Sequence, residues 1–288
     1  MNRFEKIGVL GAGMMGAEIG LCFAMAGSAV WIKDSSLELA ERGKNRLHSV
    51  LLKAVRKGRF EENRVAETLD RIIPTAGASD LADIDLLVEA VFEKFDIKAG
   101  VFQEMEKVCK PECLFVTNTS SIPITRLAAV VGSERRPLFI GAHFFSPASV
   151  MKLVEVIPGL ETDDKVTVEL IDVLKKIGKT PIRVKDVPGF AVNRILHAML
   201  IEASRLVEEE VLSPEDADTA CKLGLGHPIG PHALMDLAGN DLCLQVQEIL
   251  YEAYGERFRP RPVLKQKVYA NHLGRKTNIG WFNHEKKS

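Results

Sequence analysis

The sequence is short of several features that specialised proteins need. Its 288 residues hold five cysteines, Cys22, Cys109, Cys113, Cys221 and Cys243. Their number is odd and no CxxC pair occurs. That argues against a disulfide framework and against a structural zinc site, and it fits thiols kept in a reducing compartment. No metal ligand set is read from the sequence. An excess of charge of one sign is also missing. The 38 basic and 39 acidic residues leave a formal net charge of −1, which argues against nucleic acid or an anionic membrane as the main partner. Long apolar runs are absent. The longest stretch without a charged residue, Pro137–Met151, contains two prolines and a histidine and falls short of the roughly 18–20 residues of a spanning helix. The N-terminus shows no charged-then-apolar leader with a small-residue cleavage site, so a cytoplasmic protein is expected.

What is present is an ordinary globular composition, 46% apolar and 27% charged, long enough for about two domains. Apolar runs at Lys6–Leu10, Ala29–Lys33, Arg71–Pro74, Asp85–Ala90, Leu114–Thr117 and Leu138–His143 read as strands, with helical patterns between most of them. Among the helices are Met14–Ala26 and a long polar helix opened by Ser35, with Glu38 as its capping-box partner. Two further strands are expected at Lys152–Ile157 and Thr180–Val184, joined by a helix that starts near Thr162–Asp164 and stops at Gly178. The alternation predicts an α/β fold: a Rossmann-type, mostly parallel sheet with helices on both faces. Strand signals nearly vanish beyond Asp186-Val187-Pro188-Gly189. Val192, Ile195, Leu196, Met199, Leu200, Ala203, Leu206 and Val207 then recur at three- and four-residue steps, the wide apolar face of a helix. Ser213-Pro214 suits the start of another. The expected division is a dinucleotide-binding domain over residues 1–185 and an all-helical domain over 186–288.

Gly11-Ala12-Gly13-Met14-Met15-Gly16 is a GxGxxG hexapeptide. It follows a strand and opens a helix, and Asp34 ends the next strand 23 residues after Gly11. That is the βαβ arrangement for a dinucleotide. Gly11 permits the tight turn, Gly13 lets backbone approach a pyrophosphate, and Gly16 lets helix pack on strand. The helix N-terminus offers amides to the phosphates. Asp34 would accept from ribose hydroxyls and repel a 2′-phosphate, favouring NAD over NADP. The adjacent Lys33 points to the opposite face.

His143 ends an apolar run, where a lone histidine is more readily a satisfied core residue than a catalyst. Glu155 changes the weighing, since it is the single carboxylate in Lys152–Ile157. A hairpin turning about Ser149 would set the two residues opposite or nearly so. A carboxylate on an imidazole fixes its tautomer, the arrangement of a general base with its orienting group. Asn118-Thr119-Ser120-Ser121 follows a strand end, where open α/β sheets bind ligands. The cluster is either a helix cap or a set of donors for a substrate oxygen. Glu93 has a similar strand-end position. Asn193, at the start of the first helix of the second domain, either reaches a cleft or makes an ordinary interhelix hydrogen bond.

The segments GAGMMG (11–16), EAVFEK (89–94), NTSSIPIT (118–125), AHFFSP (142–147), MKLVEV (151–156), DVPGFAVNR (186–194), GLGHPIGP (224–231) and GRKTNIGWF (274–282) together resemble the short-chain L-3-hydroxyacyl-coenzyme A dehydrogenases, most closely the bacterial members acting on 3-hydroxybutyryl-CoA. The resemblance implies NAD-dependent interconversion of a 3-hydroxyacyl-CoA and a 3-ketoacyl-CoA, and a homodimer formed through the C-terminal domain. It implies that His143 is the catalytic base and Glu155 its partner, and that Ser120 and Asn193 hydrogen-bond the reacting substrate. Gly11, Ala12, Gly13, Met14, Met15, Gly16, Asp34, Glu93, Lys98, Asn118 and Lys276 match cofactor contacts. Lys53 and Lys57 fall where related enzymes approach the coenzyme A phosphates; a solvated basic helix face is the alternative. Ser146 departs from the pattern, replacing the asparagine of the usual HFFNP. Two other readings stand beside this one: a dehydrogenase of a 3-hydroxy acid without coenzyme A, and an NAD-binding protein without turnover.

Overall fold

The computed structural model describes residues 4–285 and divides into two compact units, Met1–Val187 and Pro188–Ser288. The first unit is built on eight strands: β1 (Lys6–Leu10), β2 (Ala29–Lys33), β3 (Ile72–Thr75), β4 (Leu86–Glu89), β5 (Leu114–Thr117), β6 (Phe139–Phe144), β7 (Leu153–Pro158) and β8 (Thr180–Arg183). They form one sheet in the order β3-β2-β1-β4-β5-β6-β7-β8. From β3 to β6 every neighbouring pair is parallel; β7 runs antiparallel to β6, and β8 parallel to β7. The carboxyl ends of six strands therefore share one edge with the amino ends of β7 and β8.

Every residue of the central strands β4, β5 and β6 is buried. Continuous burial rather than alternation is what a sheet covered on both faces requires. The cover comes from α1 (Met14–Met25), α2 (Leu37–Arg56), α3 (Val65–Asp70), α4 (Phe95–Glu106), α5 (Ile124–Ala128) and α6 (Asp164–Lys176). In α2 the buried positions Ala40, Gly43, Leu47 and Leu51 follow the helical repeat. Its cap is Ser36, one residue later than the sequence suggested. Ser36 Oγ accepts the Leu39 amide at 3.3 Å, whereas the Ser35 amide and hydroxyl both turn to the Asp34 carboxylate. With Ser36 as cap, Leu39 stands where a capping-box glutamate belongs, so Glu38 has no such role. Helix α6 is capped by Asp163 and is followed by Gly178 in the left-handed region, φ +78°, as the sequence suggested.

The second unit is helical: α7 (Val192–Glu208), α8 (Pro214–Gly224), α9 (Pro231–Ala238), α10 (Asn240–Tyr254) and α11 (Pro262–Tyr269). Ser213 caps α8 through the Asp216 amide. Its main core joins Leu200, Met235, Cys243, Leu244, Leu264 and Trp281. The buried stripe of α7 is narrower than the sequence pattern suggested. It runs through His197, Leu200, Ile201, Ala203 and Ser204 and leaves Ile195 72% exposed.

The segment after α11 is fastened by one buried carboxylate. Asp236 accepts from the Trp281 amide at 2.8 Å, the Phe282 amide at 2.9 Å and His284 Nε2 at 2.8 Å. Only glycine fits at position 280, where a Cβ would lie 2.0 Å from Asp236 Oδ1. Replacing Asp236 with Ala should cost about 1.5–3 kcal/mol for each charged hydrogen bond lost and release this segment. Hydrogen exchange of the Trp281 and Phe282 amides measures the release; unchanged protection would show that another contact holds the segment.

Candidate active site

The glycine-rich loop joins β1 to α1. Gly11 has φ +95°, and a Cβ there would lie 2.7 Å from Ala90 O. At Gly16 a Cβ would lie 1.9 Å from Gly11 O, so helix and strand can approach only because that atom is missing. Gly13 differs. It has ordinary extended backbone, and a Cβ built on it meets nothing within 4 Å. It precedes the first turn of α1, which lacks a side-chain cap, so the helix amides there stand ready for an anion. Met14 is 64% exposed at this mouth, and Ser146 Oγ lies 3.9 Å from its sulfur. Asp34, at the end of β2, accepts the Ala12 amide at 2.7 Å through Oδ2 and the Ser35 amide at 2.7 Å through Oδ1. Arg46 of α2 donates to Ala12 O, a contact with no sequence motif to announce it. Lys33 turns away and approaches Glu104 at 3.8 Å. Open space over Gly13, uncapped amides and a fixed carboxylate beside them suit the diphosphate and ribose of NAD.

The ends of β4 and β5 carry a second cluster. Glu93 Oε1 accepts Thr119 Oγ1 at 2.6 Å, the Ser120 amide at 2.8 Å and the Ser121 amide at 3.0 Å. Its Oε2 lies 3.1 Å from Lys98 Nζ. Burial would raise the Glu93 carboxyl, but the Lys98 charge and these donors outweigh it and hold Glu93 below the usual carboxylate range. Lys98 is itself buried, with 1% exposure. Its amine is engaged by Glu89 and Glu93, so it bears on the surface of the cleft through Glu93. Ser120 and Asn118 are half-buried at this edge.

The third cluster is the histidine. The antiparallel register sets His143 of β6 directly opposite Glu155 of β7. Nδ1 and Oε2 are 2.8 Å apart. Glu155 is fully buried and His143 is 7% exposed. The carboxylate fixes the ring orientation through its contact with Nδ1. The Phe145 ring lies 4.6 Å from the imidazole, centroid to centroid. Asn118 Oδ1 accepts the Phe144 amide at 2.8 Å, tying the end of β5 to the residue after His143.

The turn between these strands also walls a cavity of about 620 Å³. Lys53 of α2 and Lys57 at its C-terminal cap line it, together with Arg59 and Lys152. Sequence motifs single out neither Arg59, which lies just past the end of α2, nor Lys152, which is distant along the chain. Glu18 pins the wall by accepting the Ser149 amide at 2.9 Å and the Ser149 hydroxyl at 2.7 Å. Lys179 donates to the Ala148 and Met151 carbonyls. Asn193 and Lys276 belong to the second unit. Asn193 is the second residue of α7, and Lys276 pairs with Asp241 at 2.6 Å. No group of histidine, cysteine and acidic side chains among the described residues could hold a metal ion. No helix among them is long and apolar enough to cross a membrane.

Gly13 and Gly16 should separate binding from packing. Gly13→Ala should leave the melting temperature nearly unchanged and weaken NADH binding about 10-fold or more, since its Cβ enters space a diphosphate needs. Gly16→Ala should lower the melting temperature. Unweakened NADH binding in Gly13→Ala, measured by cofactor fluorescence, would detach this loop from the cofactor.

Comparison with known proteins agrees with this geometry. Residues 6–187 match the model of the 3-hydroxyacyl-CoA dehydrogenase NAD binding domain, and residues 189–284 that of the family's C-terminal domain. A 3-hydroxybutyryl-CoA dehydrogenase of Clostridioides difficile is 41% identical over 284 residues, covering 98% of this chain and 100% of the relative. One from Bradyrhizobium diazoefficiens is 40% identical over 281 residues, covering 97% and 95%. The crystal structure of (S)-3-hydroxybutyryl-CoA dehydrogenase PaaH1 from Ralstonia eutropha superposes with a TM-score of 0.94 at 38% identity, covering 98% of this chain and 100% of that one. The chain belongs to the 3-hydroxyacyl-CoA dehydrogenases, oxidoreductases with an NAD binding domain.

Proposed function

We propose that the protein interconverts (S)-3-hydroxybutyryl-CoA and acetoacetyl-CoA, with His143 as general acid–base and Glu155 as its orienting partner. The observation that carries this reading is the 2.8 Å contact between His143 Nδ1 and a fully buried carboxylate. The substrate assignment draws on the names of the relatives and on the cationic cavity. Bound NAD, held by the glycine-rich loop and Asp34, supplies the hydride acceptor. His143 Nε2 takes the proton of the 3-hydroxyl group during oxidation and returns it during reduction. Glu155 stabilises the imidazolium formed in between. Ser120 and Asn193 hydrogen-bond the reacting oxygen and fix its position. Glu93, Asn118 and Lys276 contact the cofactor, and Lys98 supports Glu93. Asp34 meets ribose hydroxyls and disfavours a 2′-phosphate. Lys53, Lys57, Arg59 and Lys152 surround the coenzyme A phosphates. The second unit supplies the interface of a homodimer, to which exposed Ile195 and Leu223 contribute apolar surface.

Replacing His143 with Gln should lower kcat by about 10²–10⁴, the usual worth of general acid–base catalysis. Turnover within a few-fold of wild type would remove His143 from the role. Joint replacement of Lys53 and Arg59 by Ala should raise KM for acetoacetyl-CoA and leave KM for the N-acetylcysteamine thioester of acetoacetate unchanged. Equal effects on both thioesters would place the nucleotide elsewhere. Sedimentation should show about twice the 31.8 kDa chain mass; monomer alone at micromolar concentration would defeat the dimer.

A further inference from the structure

Glu89 is a fully buried acid at the edge that carries the glycine-rich loop. It closes β4 and is paired in register with Leu10 on one side and Thr117 on the other. Those two strands lead into the glycine-rich loop and the Asn118–Ser121 turn. The strand order reverses between β1 and β4, the place where open α/β sheets bind their ligands. Glu89 itself is fully buried. Its Oε1 accepts Lys98 Nζ at 2.6 Å and the Val91 amide at 2.8 Å, and its Oε2 accepts Thr117 Oγ1 at 2.6 Å.

We infer that Glu89 is a positioning residue for the cofactor cleft, acting through Lys98 on Glu93 and the Thr119–Ser121 turn. The charges alternate along one line: Glu89, Lys98, Glu93. Lys98 Nζ lies 2.6 Å from the first carboxylate and 3.1 Å from the second. Glu93 in turn receives the Ser120 and Ser121 amides. Loss of the inner acid leaves a buried ammonium with one carboxylate, and Lys98 would then draw Glu93 inward and pull the turn with it. Stability alone gives little reason for such a pair, because well-packed apolar residues of similar volume often serve as well or better. A buried ion pair placed where the loops of the cleft begin is accounted for by the geometry it imposes there. Burial pushes the Glu89 carboxyl above its ordinary range despite Lys98, whereas Glu93 is held below it. The ammonium thus favours an ionised carboxylate at the cleft surface.

The inference rests on the reading that NAD lies over these strand ends. The test uses the full chain and NADH itself. Wild type, Glu89→Gln and the neutral pair Glu89→Gln/Lys98→Met are titrated with NADH by its fluorescence, well below their melting temperatures. Kinetics are read at saturating NADH. Asp85→Asn is the control. Asp85 begins the opposite end of the same strand, where it accepts the Glu5 and Lys6 amides and Lys110 Nζ. Both cleft variants should raise the dissociation constant for NADH about 10-fold, the scale of groups that orient ligand-binding side chains elsewhere. Their kcat at saturation should fall as well, because the displaced turn carries Ser120, and Asp85→Asn should lose stability without losing affinity. Wild-type affinity in Glu89→Gln would overturn the inference. So would an equal loss in Asp85→Asn, which would make the effect general destabilisation, or failure of both cleft variants to fold, which would make the pair structural. Failure of wild type to bind NADH would instead refute the placement of the cofactor.

Discussion

The antiparallel register between β6 and β7 is the constraint on which the histidine cluster depends. Side chains alternate across a sheet with period two, so a slip of one residue would carry Glu155 to the opposite face and leave His143 without its carboxylate. Buried apolar neighbours hold that register. Ala142 pairs with Val156 and Phe144 with Val154, and all four are buried. The turn between the strands is fixed from outside the hairpin by Glu18 and Lys179. The same pinned turn walls the cationic cavity, so the histidine and that cavity share one mechanical support.

Charge placement follows the direction of the sheet. At the carboxyl ends, Glu89, Lys98 and Glu155 are almost wholly removed from water. At the amino end of β4, Asp85 and Lys110 do comparable work in a partly exposed setting. Exposed pairs contribute little and depend on salt. Buried ones are costly when broken and impose geometry. Glu89, Lys98 and Glu155 lie on the side where the glycine-rich loop, the Asn118–Ser121 turn and His143 converge, whereas buried Arg135 serves the other edge by donating to the Lys110, Pro111 and Cys113 carbonyls.

Much of the site could be read from the sequence, because its signals are local. The three glycines, the acid at the end of the second strand and the helix caps each obey a short-range steric or hydrogen-bonding rule. The His143–Glu155 opposition was accessible for a similar reason: a hairpin fixes register by counting from its turn. Local rules also misled in two places. Ser35 was as good a cap as Ser36 until Asp34 claimed it. Ile195 matched the apolar repeat of α7 yet faces outward, because the repeat marks a stripe without saying which edge of it the neighbours cover.

By itself the sequence determined the order of the strands, the helical character of the second unit, the dinucleotide loop and the family, since each is written in contiguous residues or in motifs that keep their order. The tertiary structure alone decided that Glu89 meets Lys98 and Thr117, that Arg46 reaches Ala12, and that Arg59 and Lys152 join Lys53 and Lys57. Most of those contacts join segments apart in the chain, and even Glu89 and Lys98, nine residues apart, obey no local spacing rule. Burial then turns proximity into consequence, because a charge withdrawn from water must take its partner from whatever the fold has put beside it.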